Sequence, residues 1–174
     1  MDNYVMANIH STAVIGNNVK MDDSIEIEKE VQVSDDCIFG KKVFIGKKSI
    51  IGNKVTLGDG CVIEKKSTVG NNCILSNNTV IEKKCMVGNN VKMGEHCVIE
   101  KKVKIEDDCI FGDKVVVEGG AVIGNVVKIG DDVVLEKDTV VLDGADIPTG
   151  IVLSAGHTFP DGTTSKAKYF KSKK

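Results

Sequence analysis

A large apolar residue recurs at every sixth position of this chain, from Ile9, Ile15, Met21, Ile27, Val33 and Phe39 through to Ile147, Leu153 and Phe159. The series runs for 26 hexads with no gap and no inserted residue. The residue two places before each is small or β-branched, as at Ala13, Val19, Cys37, Ser49, Thr79 and Ala121. The three places after it are turn residues, such as Gly16-Asn17-Asn18, Gly70-Asn71-Asn72 and Glu64-Lys65-Lys66. A period of six fits neither a helix, at roughly 3.6, nor a free alternating strand, at roughly two. It predicts a strand of about three residues with two side chains inward and one outward, followed by a corner. Glycine and asparagine suit such corners because they tolerate positive φ. Three hexads close one triangular coil, which gives about nine coils and a rod about 40 Å tall at ordinary strand spacing. A weaker repeat of 36 residues, two coils long, aligns residues 52–75 with 88–111.

The unit aliphatic-Gly-x-x-small-x resembles the hexapeptide-repeat family over about residues 4–159. The resemblance implies an all-β fold, a single-stranded left-handed parallel β-helix; general chain physics would favour the opposite hand for crossovers. The expected organisation is one β-helix domain over residues 1–159 and a short basic C-terminal tail over 160–174, PDGTTSKAKYFKSKK. That tail is expected to fold over the open end of the rod, where unpaired strand edges would invite aggregation. The family is much broader in function than in fold. It includes acyltransferases, γ-type carbonic anhydrases, nucleotidyltransferase appendages and non-catalytic scaffold subunits.

Sorting by eighteen residues per coil separates three faces. The outward column of the first reads Phe44, Val62, Val80, Val98, Val116, Val134 and Val152, apolar throughout. Such a column is a contiguous patch that monomers rarely leave open. The resemblance implies a homotrimer, and this face is its expected interface. The outward columns of the second and third faces mix apolar residues with Gln32, Thr68, Lys92, Lys104 and Lys128. The corner after the first face stacks Glu64, Glu82, Glu100, Glu118 and Glu136 beside paired lysines. The lysine columns could hold a polyanion such as a nucleotide cofactor. The plainer expectation is a solvated corner where each lysine lies near a glutamate, and such pairs contribute little.

Composition narrows the chemistry. The net charge is −2, and all 23 cationic residues are lysine, so nucleic acid and anionic membrane are not expected partners. No apolar run reaches the roughly 20 residues of a membrane helix, and no signal-peptide core stands at the N-terminus. Cys37, Cys61, Cys73, Cys85, Cys97 and Cys109 all fall in the small inward slot, and no two are 18 residues apart. The closest pairs on one face would sit about 9.6 Å apart, beyond the reach of a disulfide at about 7 Å. Six reduced core thiols and a cytoplasmic location are the expectation.

The three histidines, His10, His96 and His157, lie on distant coils, so the three-histidine zinc site of the family's carbonic anhydrases cannot form and no metal is expected. Acyltransferases of the family are similar in using a histidine base beside a coenzyme A groove between subunits. His10 looks like the first-coil turn, and His157 takes the inward slot of the last coil. His96, in the corner Gly94-Glu95-His96 entering the first face between Asn78 and Lys114, is the candidate catalytic residue. A glutamate such as Glu82 or Glu100 from an adjoining subunit would orient it. The expected activity is therefore a coenzyme A-dependent acyltransferase acting on a small hydroxyl or amino acceptor. A non-catalytic scaffold or assembly subunit stands beside it, because no extruded loop interrupts the coils and no helical domain is attached.

Overall fold

The computed structural model describes residues 7–160 and 170–172. Among the described residues every regular element is a short β-strand. The first three, β1 (Asn8–Ile9), β2 (Val14–Ile15) and β3 (Lys20–Met21), set a pattern that repeats coil after coil. Each strand pairs in parallel with the strand 18 residues on: Val62 stands opposite Val80, and Val80 opposite Val98. The strands sort into sheets of ten, nine and eight strands, so the molecule is a three-sided parallel β-helix with eight complete coils. The period of six and the coil of three hexads are thus both realised, close to the nine coils expected.

The inward ladders form the core. Ile27, Ile45, Ile63, Ile81 and Ile99 on the first sheet, and Phe39, Leu57, Leu75, Met93 and Phe111 on the third, are all at most 3% exposed. The small inward slot does more than fill space. Each cysteine thiol donates to the carbonyl 15 residues ahead, Cys73 to Gly88 O at 3.1 Å and Cys85 to Glu100 O at 2.9 Å. Hydroxyls do the same from equivalent slots, Ser67 to Glu82 O at 2.7 Å and Thr79 to Gly94 O at 3.0 Å. Cysteine, serine and threonine therefore alternate here as small donors that satisfy a corner carbonyl otherwise facing the core. All six cysteines are free and buried.

The corners depart from the expectation about glycine. The left-handed residue is the second of the turn and is mostly not glycine: φ is 63° at Lys66, 58° at His96 and 58° at Val126. Glycines of the Gly-Asn-Asn corners sit two residues before it, where the coils approach closely. A Cβ on Gly70 would lie 2.5 Å from Gly88 O. The middle residue of that corner builds a ladder, its side-chain oxygen accepting the N–H of the equivalent residue one coil back. Asn53 N–H donates to Asn71 Oδ1 at 2.8 Å, Asn71 N–H to Asn89 Oδ1 at 2.9 Å, and Asn89 N–H to Asp107 Oδ1 at 2.6 Å. The corner entering the first sheet repeats the device, as in Asp59 to Asn77 at 2.9 Å and Glu95 to Asp113 at 2.8 Å.

At the far end, β27 (Phe170–Ser172) pairs antiparallel with β25 (Ile151–Leu153), the last parallel strand of the first sheet. It lies along a strand edge that would otherwise be open, where a covering tail was expected. Residues 161–169 and 173–174 of that tail lie outside the described residues. Among the described residues no helix is long and apolar enough to cross a membrane.

Candidate functional site

His96 stands where the sequence placed it, at the corner that leads into the first sheet. Its N–H donates to Asn77 O at 3.0 Å, and the same stacking joins Lys114 N–H to Glu95 O and Asn78 N–H to Asp59 O, each at 2.8 Å. Asn78, His96 and Lys114 therefore form one column of left-handed corner residues with φ of 56–58°. The imidazole is exposed and makes no hydrogen bond among the described residues. Its acidic neighbours are engaged elsewhere. Glu95 Oε1 accepts Asn77 Nδ2 at 3.1 Å, and Asp113 Oδ1 accepts the Glu95 N–H. Among the described residues no side chain hydrogen-bonds to the ring to orient it as a general base requires.

The glutamates across the first sheet have a structural task. Glu82 Oε2 accepts the Lys101 N–H at 3.1 Å, Glu100 Oε2 the Gly119 N–H at 3.0 Å, and Glu136 Oε2 the Ala155 N–H at 3.0 Å. Each carboxylate is half-buried and spends one oxygen on the corner of the coil above. A carboxylate offers about four acceptor sites, so the second oxygen retains capacity toward a neighbouring molecule.

Between these two corners runs the apolar column from Phe44 to Val152. All seven residues are half-buried, where the sequence suggested exposed side chains. The cause is the register: valines directly opposite one another on successive strands shield each other's flanks. On the third sheet the outward isoleucines Ile38, Ile74 and Ile110 are 43–49% exposed, because each stands alone between polar neighbours such as Thr56 and Lys92. Only the first sheet presents an unbroken apolar strip.

The remaining candidates are structural. His10 Nδ1 accepts the Thr12 N–H at 3.2 Å and closes the first corner. His157 occupies the inward slot as expected but is exposed, because among the described residues no strand follows on the second sheet, and its Nδ1 lies 3.2 Å from Ser154 O. Among the described residues no group of three or more His, Cys, Asp or Glu side chains gathers as metal ligands. Burial pushes the thiols of Cys73, Cys85 and Cys97 up to about 11, which removes them as nucleophiles near neutral pH. What sequence reading missed is the use of corner side chains as backbone acceptors. The signal was present in the recurrence of Asn, Asp or Glu at intervals of 18.

A family model of the GMPPB C-terminal domain matches residues 33–127, more than half of the 174-residue chain. The chain belongs to the GMPPB C-terminal domain family. This family member is also similar in fold to solved structures. A UDP-N-acetylglucosamine acyltransferase from Bacteroides fragilis shares 24% identity over 88% of this chain and 71% of its own, with a TM-score of 0.71. A hexapeptide transferase family protein from Anaplasma phagocytophilum shares 14% identity over 95% of this chain and 87% of its own, with a TM-score of 0.59. A UDP-N-acetylglucosamine acyltransferase from Campylobacter jejuni shares 16% identity over 86% of this chain and 69% of its own, with a TM-score of 0.51. No curated protein matches the chain. These folds bear out the β-helix architecture expected from the hexapeptide-repeat resemblance.

Proposed function

We propose that the chain is a subunit of a cytoplasmic, coenzyme A-dependent acyltransferase acting on a small hydroxyl or amino acceptor. Residues 1–159 supply the β-helix and 160–174 an appended tail. Three copies pack through the strip from Phe44 to Val152, and each site forms where one copy's His96 corner meets another's glutamate corner. The observation that carries this reading is the position of His96: an unengaged imidazole at the rim of the one unbroken apolar face. In the proposed step the imidazole takes the proton from the acceptor oxygen or nitrogen as that oxygen or nitrogen attacks the thioester carbonyl. Coenzyme A thiolate then leaves and is protonated, and Glu82 or Glu100 of the neighbour holds the ring in place. The likeness in fold to acyltransferase structures supports the class, and the six unpaired thiols support a reducing compartment.

A second reading, an assembly module without catalysis, is favoured by a specific observation. From β1 to β26 the strand register of 18 never breaks, so among the described residues no loop leaves the coils to build an acceptor pocket. Thermal shift with acetyl-CoA separates the two, since a ligand that binds the folded state raises the midpoint by mass action. The acyltransferase reading expects a saturable rise and, once an acceptor is turned over, a loss of roughly 10²-fold or more in kcat for His96→Ala with the assembly intact. No midpoint change at millimolar acetyl-CoA, or an unaltered kcat in the variant, overturns it.

A further inference from the structure

The corner that follows the first sheet carries lysine at both turn positions in four successive coils: Lys47-Lys48, Lys65-Lys66, Lys83-Lys84 and Lys101-Lys102. The backbone fixes them as rungs, with Lys66 N–H donating to Lys47 O at 3.0 Å, and Lys84 N–H to Lys65 O and Lys102 N–H to Lys83 O at 3.2 Å. Rungs about 4.8 Å apart with two lysines each place one cation per roughly 2.4 Å of rod axis. A groove of about 420 Å³ runs among the six lysines of the lower three rungs. The series ends abruptly, at Gly119-Gly120 above and Lys29-Glu30 below.

Among the described residues the glutamates beside the upper three rungs form no ion pair with these lysines. Their carboxylates turn along the rod to cap the next corner, Glu28 to Lys47 N–H at 2.7 Å and Glu82 to Lys101 N–H at 3.1 Å. Among the described residues the ladder's one ion pair is Lys48–Glu30 at 3.2 Å, half-exposed and at its lower end. Two corner N–H groups inside the groove also lack this cap. Gly46, below Lys65, has no side chain to supply it, and Glu64 makes no bond to Lys83. The result is a stack of like charges at strand spacing, an arrangement that repels itself and that a bound anion would relieve.

The chemistry of the ridge selects among anions. Lysine neutralises charge without the bidentate geometry of arginine, so the ridge reads charge density rather than shape. An extended acidic peptide turns only every second side chain to one side, about 6.6 Å apart, and under-fills the ladder. Single-stranded nucleic acid binds through aromatic stacking platforms, and the residues flanking these rungs offer Phe44 alone. A thin chain with an anionic group at every link matches the density. We infer that the ridge from Lys47 to Lys102 binds a linear polyphosphate chain laid along the rod axis. This does not depend on the proposed acyl transfer.

The test is isothermal titration of the full chain with short-chain sodium polyphosphate at two salt concentrations. Saturable binding is expected, weakening at least tenfold from about 50 to about 200 mM salt as counterion release requires. The double variant Lys65→Gln/Lys83→Gln is expected to lose about tenfold in affinity. Lys41→Gln/Lys42→Gln, an equal change of charge at another corner, should lose less than twofold. Equal loss in both variants, no binding at low salt, or tighter binding of poly-glutamate or poly-uridylate than of polyphosphate overturns the inference.

Discussion

Replacing Asn71 tests whether the corner ladders hold the coils together or merely decorate them. Asn71 Oδ1 accepts the Asn53 N–H at 2.8 Å and Asn53 Nδ2 at 3.1 Å, while its own Nδ2 donates to Asn89 Oδ1 at 3.0 Å. Asn71→Ala removes all three bonds and uncaps one backbone N–H. Net hydrogen bonds contribute about 0.5–1.5 kcal/mol each, and this corner is exposed, so the lower half of that range applies to each of the three and the loss is about 1.5–3 kcal/mol. For a chain of this size that lowers Tm by roughly 3–12 °C. Asn71→Asp is the informative partner. It keeps the acceptor and gives up only the donor, and the native column already places Asp35 below Asn53 and Asp107 below Asn125 with the ladder intact. Its cost is expected at about 0.5 kcal/mol, one weak exposed bond. The assay is thermal and urea unfolding of the two variants beside the wild type. In a solenoid each coil touches only its neighbours, so an interior substitution weakens two interfaces and should not be absorbed at a frayed end. Equal losses in the two variants, or an alanine variant within about 0.3 kcal/mol of wild type, would refute the assignment of the ladder as backbone capping.

Val98→Lys, in the middle of the first-sheet strip, is expected to convert a trimer to monomers, because burying unpaired ammonium groups in an interface is costly; light scattering reads it, and a wild-type monomer at micromolar concentration refutes the interface. Val126 is β-branched, 55% exposed and held at a φ of 58°. Val126→Asn, which relieves a strain of about 1 kcal/mol, is therefore expected to raise Tm by roughly 2–4 °C. The thiols of Cys73, Cys85 and Cys97 are raised by burial to about 11. With folded values above the unfolded ones, their stabilisation is complete below about pH 8.5 and declines as pH rises toward 11. The Tm of wild type should fall through that window more steeply than that of the variant with all three changed to serine. Six thiols should react with a thiol reagent after unfolding without reductant, and fewer than four would contradict the inward register.

The fold was open to sequence reading because its period leaves no alternative. An apolar residue at every sixth position can face one axis only if the chain turns a corner each time, and the ladders from Ile27 to Leu153 are buried as the period requires. The corners were less legible. Lysine, aspartate and even Val126 occupy the left-handed position because its N–H is fixed to a carbonyl one coil back, a tertiary bond that overrides local propensity. The glutamates beside the lysines read as ion-pair partners in sequence. Their carboxylates instead answer backbone donors 19 residues away, which adjacency along the chain does not reveal. His96 was placed correctly as a corner residue, but among the described residues its ring has no hydrogen-bond partner.

The constant offset of 18 between paired strands also governs how such a gene can change. Losing one codon throws the later hexads out of phase unless a corner absorbs it. A hexad gained or lost keeps the core in phase, and only a whole coil also keeps the outer columns aligned. Segments 52–75 and 88–111, alike at a distance of two coils, have the form of such a step, with new material copied already in phase with the old. A rod that evolves by copied coils keeps its outer columns aligned as it grows. A strip or ridge that proves useful is then lengthened by repetition, in fixed increments of height, with no need to discover each new residue separately.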